Sequence, residues 1–172
     1  MKLPFPGWHC MLLALALSSL APAALASPKY LRVAGSSFVP RDSSTTIQYQ
    51  TAGCVSRASG TTWISYPVQL PSGSRVVAMR LYYYDNRPSD DLTIAFTAYN
   101  MQGAFEDKAL FSNGTTSSGY GTVDRAMDVV IDNANWGYQI NVLLSASTAG
   151  LRLCGARLTV LPPDPIFKDG FE

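Results

Sequence analysis

The sequence is almost without histidine. Its one example, His9, lies in an apolar opening segment, and none occurs over residues 10–172. Beyond that segment, Ser-His-Asp and Cys-His nucleophile pairs and histidine-ligated zinc are excluded. Glutamate is nearly as scarce, with Glu106 and Glu172 its only positions. A carboxylate pair for glycoside hydrolysis would have to rest mainly on aspartates. A Ser-Lys dyad would need Lys29, Lys108 or Lys168, each near a terminus or in polar sequence with no serine motif beside it.

Long apolar runs are missing too. The longest, Met11 to Leu17, is too short to cross a bilayer and is soon followed by Pro22. With Lys2 before it and Ala24-Leu25-Ala26 after it, residues 1–26 read as a signal peptide cleaved before Ser27. The expected location is therefore secreted or periplasmic, with no transmembrane segment. Cys10 precedes the apolar core, which argues against a lipid-anchored cysteine at the cleavage point. Loss of Lys2 lowers the 13 basic residues to 12, equal to the 12 acidic ones. That balance argues against nucleic acid or an anionic membrane as a general partner. The three cysteines likewise fall to two, Cys54 and Cys154. A disulfide is the simplest fate for two cysteines in an exported chain, and no C-x-x-C suggests a reactive pair.

What the chain has in quantity is alternation. "WISYPVQL" sets Ile64, Tyr66, Val68 and Leu70 on one face, and "RVVAMRLYYYD" does the same with Val77, Met79, Leu81 and Tyr83. "DLTIAFTAYN" turns Leu92, Ile94, Phe96 and Ala98 inward, leaving Thr93, Thr97 and Tyr99 outward. "GYQINVLLSA" does so with Tyr138, Ile140, Val142 and Leu144, against Gln139, Asn141 and Ser145. The last strand is expected to bury Cys154, Ala156, Leu158 and Val160, with a bulge at Gly155 because Leu151 and Leu153 have the opposite phase. Weaker strands are expected at 30–39, 45–56, 107–112 and 123–131. Turn-forming stretches such as "PSGS", "DNRPSDD" and "DNANWG" punctuate the runs. Eight to ten short strands so spaced predict an all-β fold: one antiparallel β-sandwich, jelly-roll-like, over 27–161. After Leu161 the prolines of "PPDP" end the last strand and begin a tail over 162–172.

Several stretches carry a resemblance. "FVPRDSSTT", "GCVSR", "VQLPSGS", "LYYYDN", "IDNANWGY" and "LRLCGARL" run in order along most of the chain. Together they resemble a recurrent family of small secreted bacterial β-sandwich domains. The resemblance implies fold and compartment and supplies no activity, substrate or catalytic residue. The closing "IFKDGFE" looks like a short tail seen on many exported proteins of Gram-negative bacteria. Its apolar Ile166, Phe167 and Phe171 suit docking back onto the sheet, an anchor read by an export or surface-attachment partner, or a frayed end.

Two candidate sites fall in one stretch, "LYYYDNRPSDD". Read as a hairpin with Tyr83 inward, it places Tyr82 and Tyr84 on the outer face, with Tyr99 beside them on the next strand. Such a tyrosine face suits a glycan or a protein surface, although aromatic enrichment is normal for strands and favours ordinary cross-strand pairing. Asp85, Asp90 and Asp91, with Asn86, offer hard oxygens that could hold calcium. The same residues are also what a turn uses for backbone reasons, so no cofactor is required. Asp128, Asp132 and Asn133 form a thinner group of the same kind. Asn113-Gly114-Thr115 fits a glycosylation acceptor and is also a turn signal. Trp63 and Trp136 suit core or rim. The function expected is a secreted, non-catalytic binding or surface-interaction module for glycan or protein. The alternatives are a purely structural assembly component and, more distantly, a carboxylate-dependent glycoside hydrolase.

Overall fold

In the computed structural model, which describes residues 27–61, 63–114 and 119–163, the alternating stretches form eleven strands. These are β1 (Lys29–Ala34), β2 (Val39–Pro40), β3 (Thr46–Tyr49), β4 (Val55–Ser59), β5 (Ile64–Val68) and β6 (Arg75–Asp85). They continue with β7 (Leu92–Tyr99), β8 (Phe105–Ser112), β9 (Gly119–Val130), β10 (Gly137–Leu144) and β11 (Leu151–Leu161). The segment 1–26, expected to be a signal peptide, and the tail residues Ile166, Phe167 and Phe171 lie outside the described residues. No helix among those described is long and apolar enough to cross a membrane.

The strands divide into two antiparallel sheets. One is six-stranded, in the order β3-β4-β11-β6-β9 with β1 also pairing β11; the other is five-stranded, β2-β5-β10-β7-β8. The expected jelly-roll sandwich is the fold that forms. Its core lies between the sheets, where Met79, Leu81 and Leu158 of the first meet Ile94, Phe96 and Ile140 of the second, all fully buried. Phe96 also stacks on Tyr138, with ring centroids 5.8 Å apart.

Sequence phase and structure differ where strands bulge. The β6 register slips between Val76 and Ala78, so Val76 is buried and Val77 only half-buried, the reverse of strict alternation. In β11 the slip against β6 falls between Leu153 and Gly155. It absorbs the phase change expected there, but it leaves Cys154 half-buried rather than in the core. The stretch 30–39 is broken by a 3-10 turn at Gly35–Ser37, and 45–56 by another at Thr51–Gly53. The first break needs glycine, because a Cβ on Gly35 would stand 2.2 Å from the Leu153 carbonyl oxygen.

The tyrosine-rich hairpin does not exist. β6 belongs to the six-stranded sheet and β7 to the five-stranded one, so residues 86–91 arch from one layer to the other. Asp85, fully buried at the end of β6, anchors the arch by accepting the Arg87 amide at 2.8 Å and Asn113 Nδ2 at 2.8 Å. An arch and a hairpin use the same turn residues between the same alternating flanks. Only the choice of hydrogen-bond partner separates them.

Cys54 and Cys154 are bridged. The bridge sits where pairing is thinnest, because β4 meets β11 only at Val55↔Leu153. The β3–β4 hairpin is therefore joined to β11 by one register pair and a covalent bond, with Arg57 Nη2 donating to the Ser145 carbonyl at 2.8 Å as a further tie.

Candidate functional site

Separation of β6 from β7 also separates the three candidate tyrosines. Tyr82 and Tyr84 are half-buried on the outer face of the six-stranded sheet, where Tyr84 meets Tyr120 edge-on at 4.9 Å. Tyr99 is on the five-stranded sheet, and the whole sandwich lies between it and the other two. The single tyrosine face is thus corrected to two unrelated surfaces.

The acidic turn serves the backbone. Asp85 is interior and hydrogen-bonded, Asp90 pairs with Arg87 at 3.0 Å, and the Asp91 amide donates to Ser145 Oγ at 2.8 Å. Among the described residues no group of three or more acidic, cysteine or histidine side chains gathers around a point that could hold a metal. Asp128 is paired with Arg75, while Asp132 takes the Ala134 amide at 3.1 Å and Asn135 Nδ2 at 2.7 Å. Asn113 Oδ1 accepts the Leu92 amide at 2.7 Å, so that side chain holds the start of β7. Trp136 is half-buried beneath Lys108, 5.7 Å from its ring centroid.

Tyr99 leads to the groove that the sequence did not reveal. A cavity of about 350 Å³ crosses the outer face of the five-stranded sheet. Arg41 and Trp63 close one side, tied by the Arg41 amide donating to the Trp63 carbonyl at 3.0 Å. Tyr99, Phe105 and Asp107 close the other. Phe105 keeps 73% of its surface exposed, which is costly for an aromatic ring that nothing covers. Local chain geometry puts these side chains there. The β7–β8 register slips between Phe96 and Thr97, pairing Thr97 with Asp107 and Phe96 with Ala109. Lys108 is the extra residue, and it turns Phe105 and Asp107 to the groove while Ala109 stays in the core. Tyr99 lies against its cross-strand partner Gly137, where a Cβ would come within 2.7 Å of the ring.

Beneath the groove runs a chain of hydrogen bonds across four adjacent strands. Ser65 Oγ donates to Asn141 Oδ1 at 2.5 Å, and Asn141 Nδ2 donates to Thr97 Oγ1 at 2.8 Å. Thr97 Oγ1 then donates to Asp107 Oδ1 at 2.6 Å. Asn141 and Thr97 are each only 3% exposed, so this chain is a sealed floor whose members satisfy one another. Its direction is fixed by the terminal carboxylate, which can only accept when ionised. Asp107 is thereby held by one oxygen, and among the described residues its second oxygen has no protein partner. The groove thus combines aromatic rings, one carboxylate, one guanidinium and the Gln139 amide. The outward phase of Thr97, Tyr99, Gln139 and Asn141 was visible in the sequence, whereas the adjacency of β7, β10 and β8 was not.

Comparison with known proteins adds fold. No family model and no curated protein matches the sequence. Among solved structures, the C-terminal CBM6 of LamC, a marine laminarinase from Zobellia galactanivorans, is similar with a TM-score of 0.50 at 17% identity. The match covers 76% of this chain and 99% of that one. The isomalto-dextranase of Arthrobacter globiformis T6, complexed with panose, matches with a TM-score of 0.50 at 18% identity, over 75% of this chain and 23% of its own. At such identity the likeness is one of fold. The sandwich shares its fold with that CBM6.

Proposed function

We propose that this protein is an exported, non-catalytic glycan-binding module that holds a neutral sugar chain in the groove across β5, β10, β7 and β8. The observation that carries the reading is the groove itself, with Trp63, Tyr99 and Phe105 standing over a preformed hydrogen-bonded floor. A sugar ring has C–H faces and a hydroxyl rim. Aromatic side chains cover the faces, while Asp107, Gln139 and Arg41 meet the rim. One cation and one anion in the lining balance, which favours an uncharged ligand. The fold likeness to the module of the Zobellia laminarinase supports the same class of ligand. Catalysis by paired carboxylates is disfavoured, because Asp107 is the one acid in the described lining and the reaction needs two.

Affinity electrophoresis in gels cast with laminarin, dextran or xylan tests this. Retardation by at least one neutral glycan is expected. Trp63→Ala should weaken that binding roughly thirtyfold, since truncating a central aromatic anchor costs about 2 kcal/mol or more. Asp107→Asn should weaken it less and leave the melting temperature nearly unchanged, because its partner Thr97 can still donate. Absence of retardation across neutral glycans, or wild-type binding by Trp63→Ala, rejects the groove as the site.

A further inference from the structure

The opposite side of the sandwich carries a second arrangement that the groove does not use. Arg32 on β1 pairs directly with Arg157 on β11, Arg157 with Arg80 on β6, and Arg80 with Asp124 on β9. Their chain neighbours Val33, Ala156, Leu158, Met79 and Leu81 are buried, so alternation turns all three guanidinium groups outward. Like charges set directly opposite one another destabilise a sheet, and neighbouring strands are only about 4.8 Å apart. One carboxylate lies in the row, and it is spent. Arg80 grips Asp124 through two parallel bonds of 2.6 and 2.7 Å. That hydrogen bonding, with attraction to Arg80 and Arg157, holds the Asp124 carboxyl below its usual range despite some desolvation. Neither Arg32 nor Arg157 has an ion pair among the described residues.

The arginines of this face are also shaped. Arg157 lies over the Tyr30 ring at 4.9 Å and Arg152 over Tyr84 at 4.5 Å. Arg157 Nε is buried with no hydrogen-bond partner. Stacking fixes the plane of each guanidinium, and because Arg152 Nε already donates to the Ala149 carbonyl at 2.5 Å and Arg157 Nε is enclosed, it is the Nη edge that is left to a planar acceptor. We propose that this face binds a polyuronate, an acidic polysaccharide whose carboxylates pair with Arg32, Arg157 and Arg152. Charge complementarity selects a polyanion, and the forked donors suit a carboxylate. A nucleic-acid single strand needs bare aromatic platforms for its bases. Here Arg157 and Arg152 take one face of Tyr30 and of Tyr84, while Tyr30 stays 53% and Tyr120 66% exposed, so comparison with an oligonucleotide decides between the two polyanions. This site is independent of the neutral-glycan groove.

The test is calorimetric titration of the protein with polygalacturonate at low ionic strength, repeated in added salt. Binding that weakens as salt rises is expected. Arg32→Gln and Arg157→Gln should each lower affinity roughly tenfold, the usual worth of a charge-assisted hydrogen bond. Arg157→Lys, which keeps the charge but not the fork, should lose an intermediate amount. Arg32→Gln should leave the melting temperature unchanged or raised, since it relieves like-charge repulsion, whereas a purely structural arginine would lower it. Trp63→Ala should bind polygalacturonate as the wild type does. The proposal would be overturned by no binding, by wild-type affinity in both glutamine variants, or by loss of binding in Trp63→Ala. Tighter binding of heparin or a single-stranded oligonucleotide than of polygalacturonate would overturn it as well.

Discussion

Replacement of Tyr83 by alanine is expected to lower the stability of the domain by about 3 to 5 kcal/mol, the range for removing a large buried aromatic side chain. Tyr83 is 7% exposed and stands between Leu153 and Gly121 in register. A Cβ on Gly121 would fall 2.6 Å from the tyrosine ring, so the ring occupies the space that the glycine leaves. Alanine at 83 would vacate both at once, and the two backbones cannot close the gap without breaking the β6–β9 register. Tyr82, one residue earlier, is half-buried on the outer face, and its replacement by alanine should cost about 1 kcal/mol or less. Chemical denaturation of the two variants under identical conditions makes the comparison. Equal losses would mean that both faces of β6 carry the fold alike, which the burial pattern denies.

Loss of the Cys54–Cys154 bridge is the second large effect. Removal of a native disulfide from a small exported domain typically costs about 2 to 5 kcal/mol, and the loop closed here is long. Its sequence separation is 100 residues. The damage should be local before it is global. With only Val55↔Leu153 joining β4 to β11, reduction should first free the hairpin from Thr46 to Ser59. Hydrogen exchange of the reduced protein is expected to show that segment deprotected while β6, β7, β10 and β11 stay protected. Deprotection spread evenly through both sheets would contradict a bridge that acts mainly on one edge.

The class of fold was legible because a core strand of a sandwich repeats every two residues whatever its neighbours. Alternation alone turns Leu92, Ile94, Phe96 and Ala98 inward, and all are buried. Bulges defeated the same rule at Val77 and Cys154: the second was marked by Gly155 and the phase of Leu151 and Leu153, whereas the first left no mark in composition. The site was legible only in fragments. Thr97, Tyr99, Gln139 and Asn141 were seen to face outward, yet the sequence does not state that β10 lies beside β7, or that 86–91 passes between layers. Arg41 and Asp107 gave no signal at all. Arg41 lies outside any strand, and Asp107 owes its direction to the bulge at Lys108.

The first and last described strands are paired antiparallel, with Lys29 opposite Val160, so both ends of the domain leave from the same rim. Tension applied there would peel β1 from β11 one rung at a time, in the manner of a zipper, instead of shearing all the rungs together. Peeling runs from Lys29↔Val160 toward Ala34↔Gly155 and on to the sulfur bond. There the load crosses from residue 54 to residue 154. Everything between them is bypassed, including Trp63, Tyr99, Asp107 and Asn141. A domain stretched between its two ends would thus yield at its rim while most of the groove lining bears no stretch.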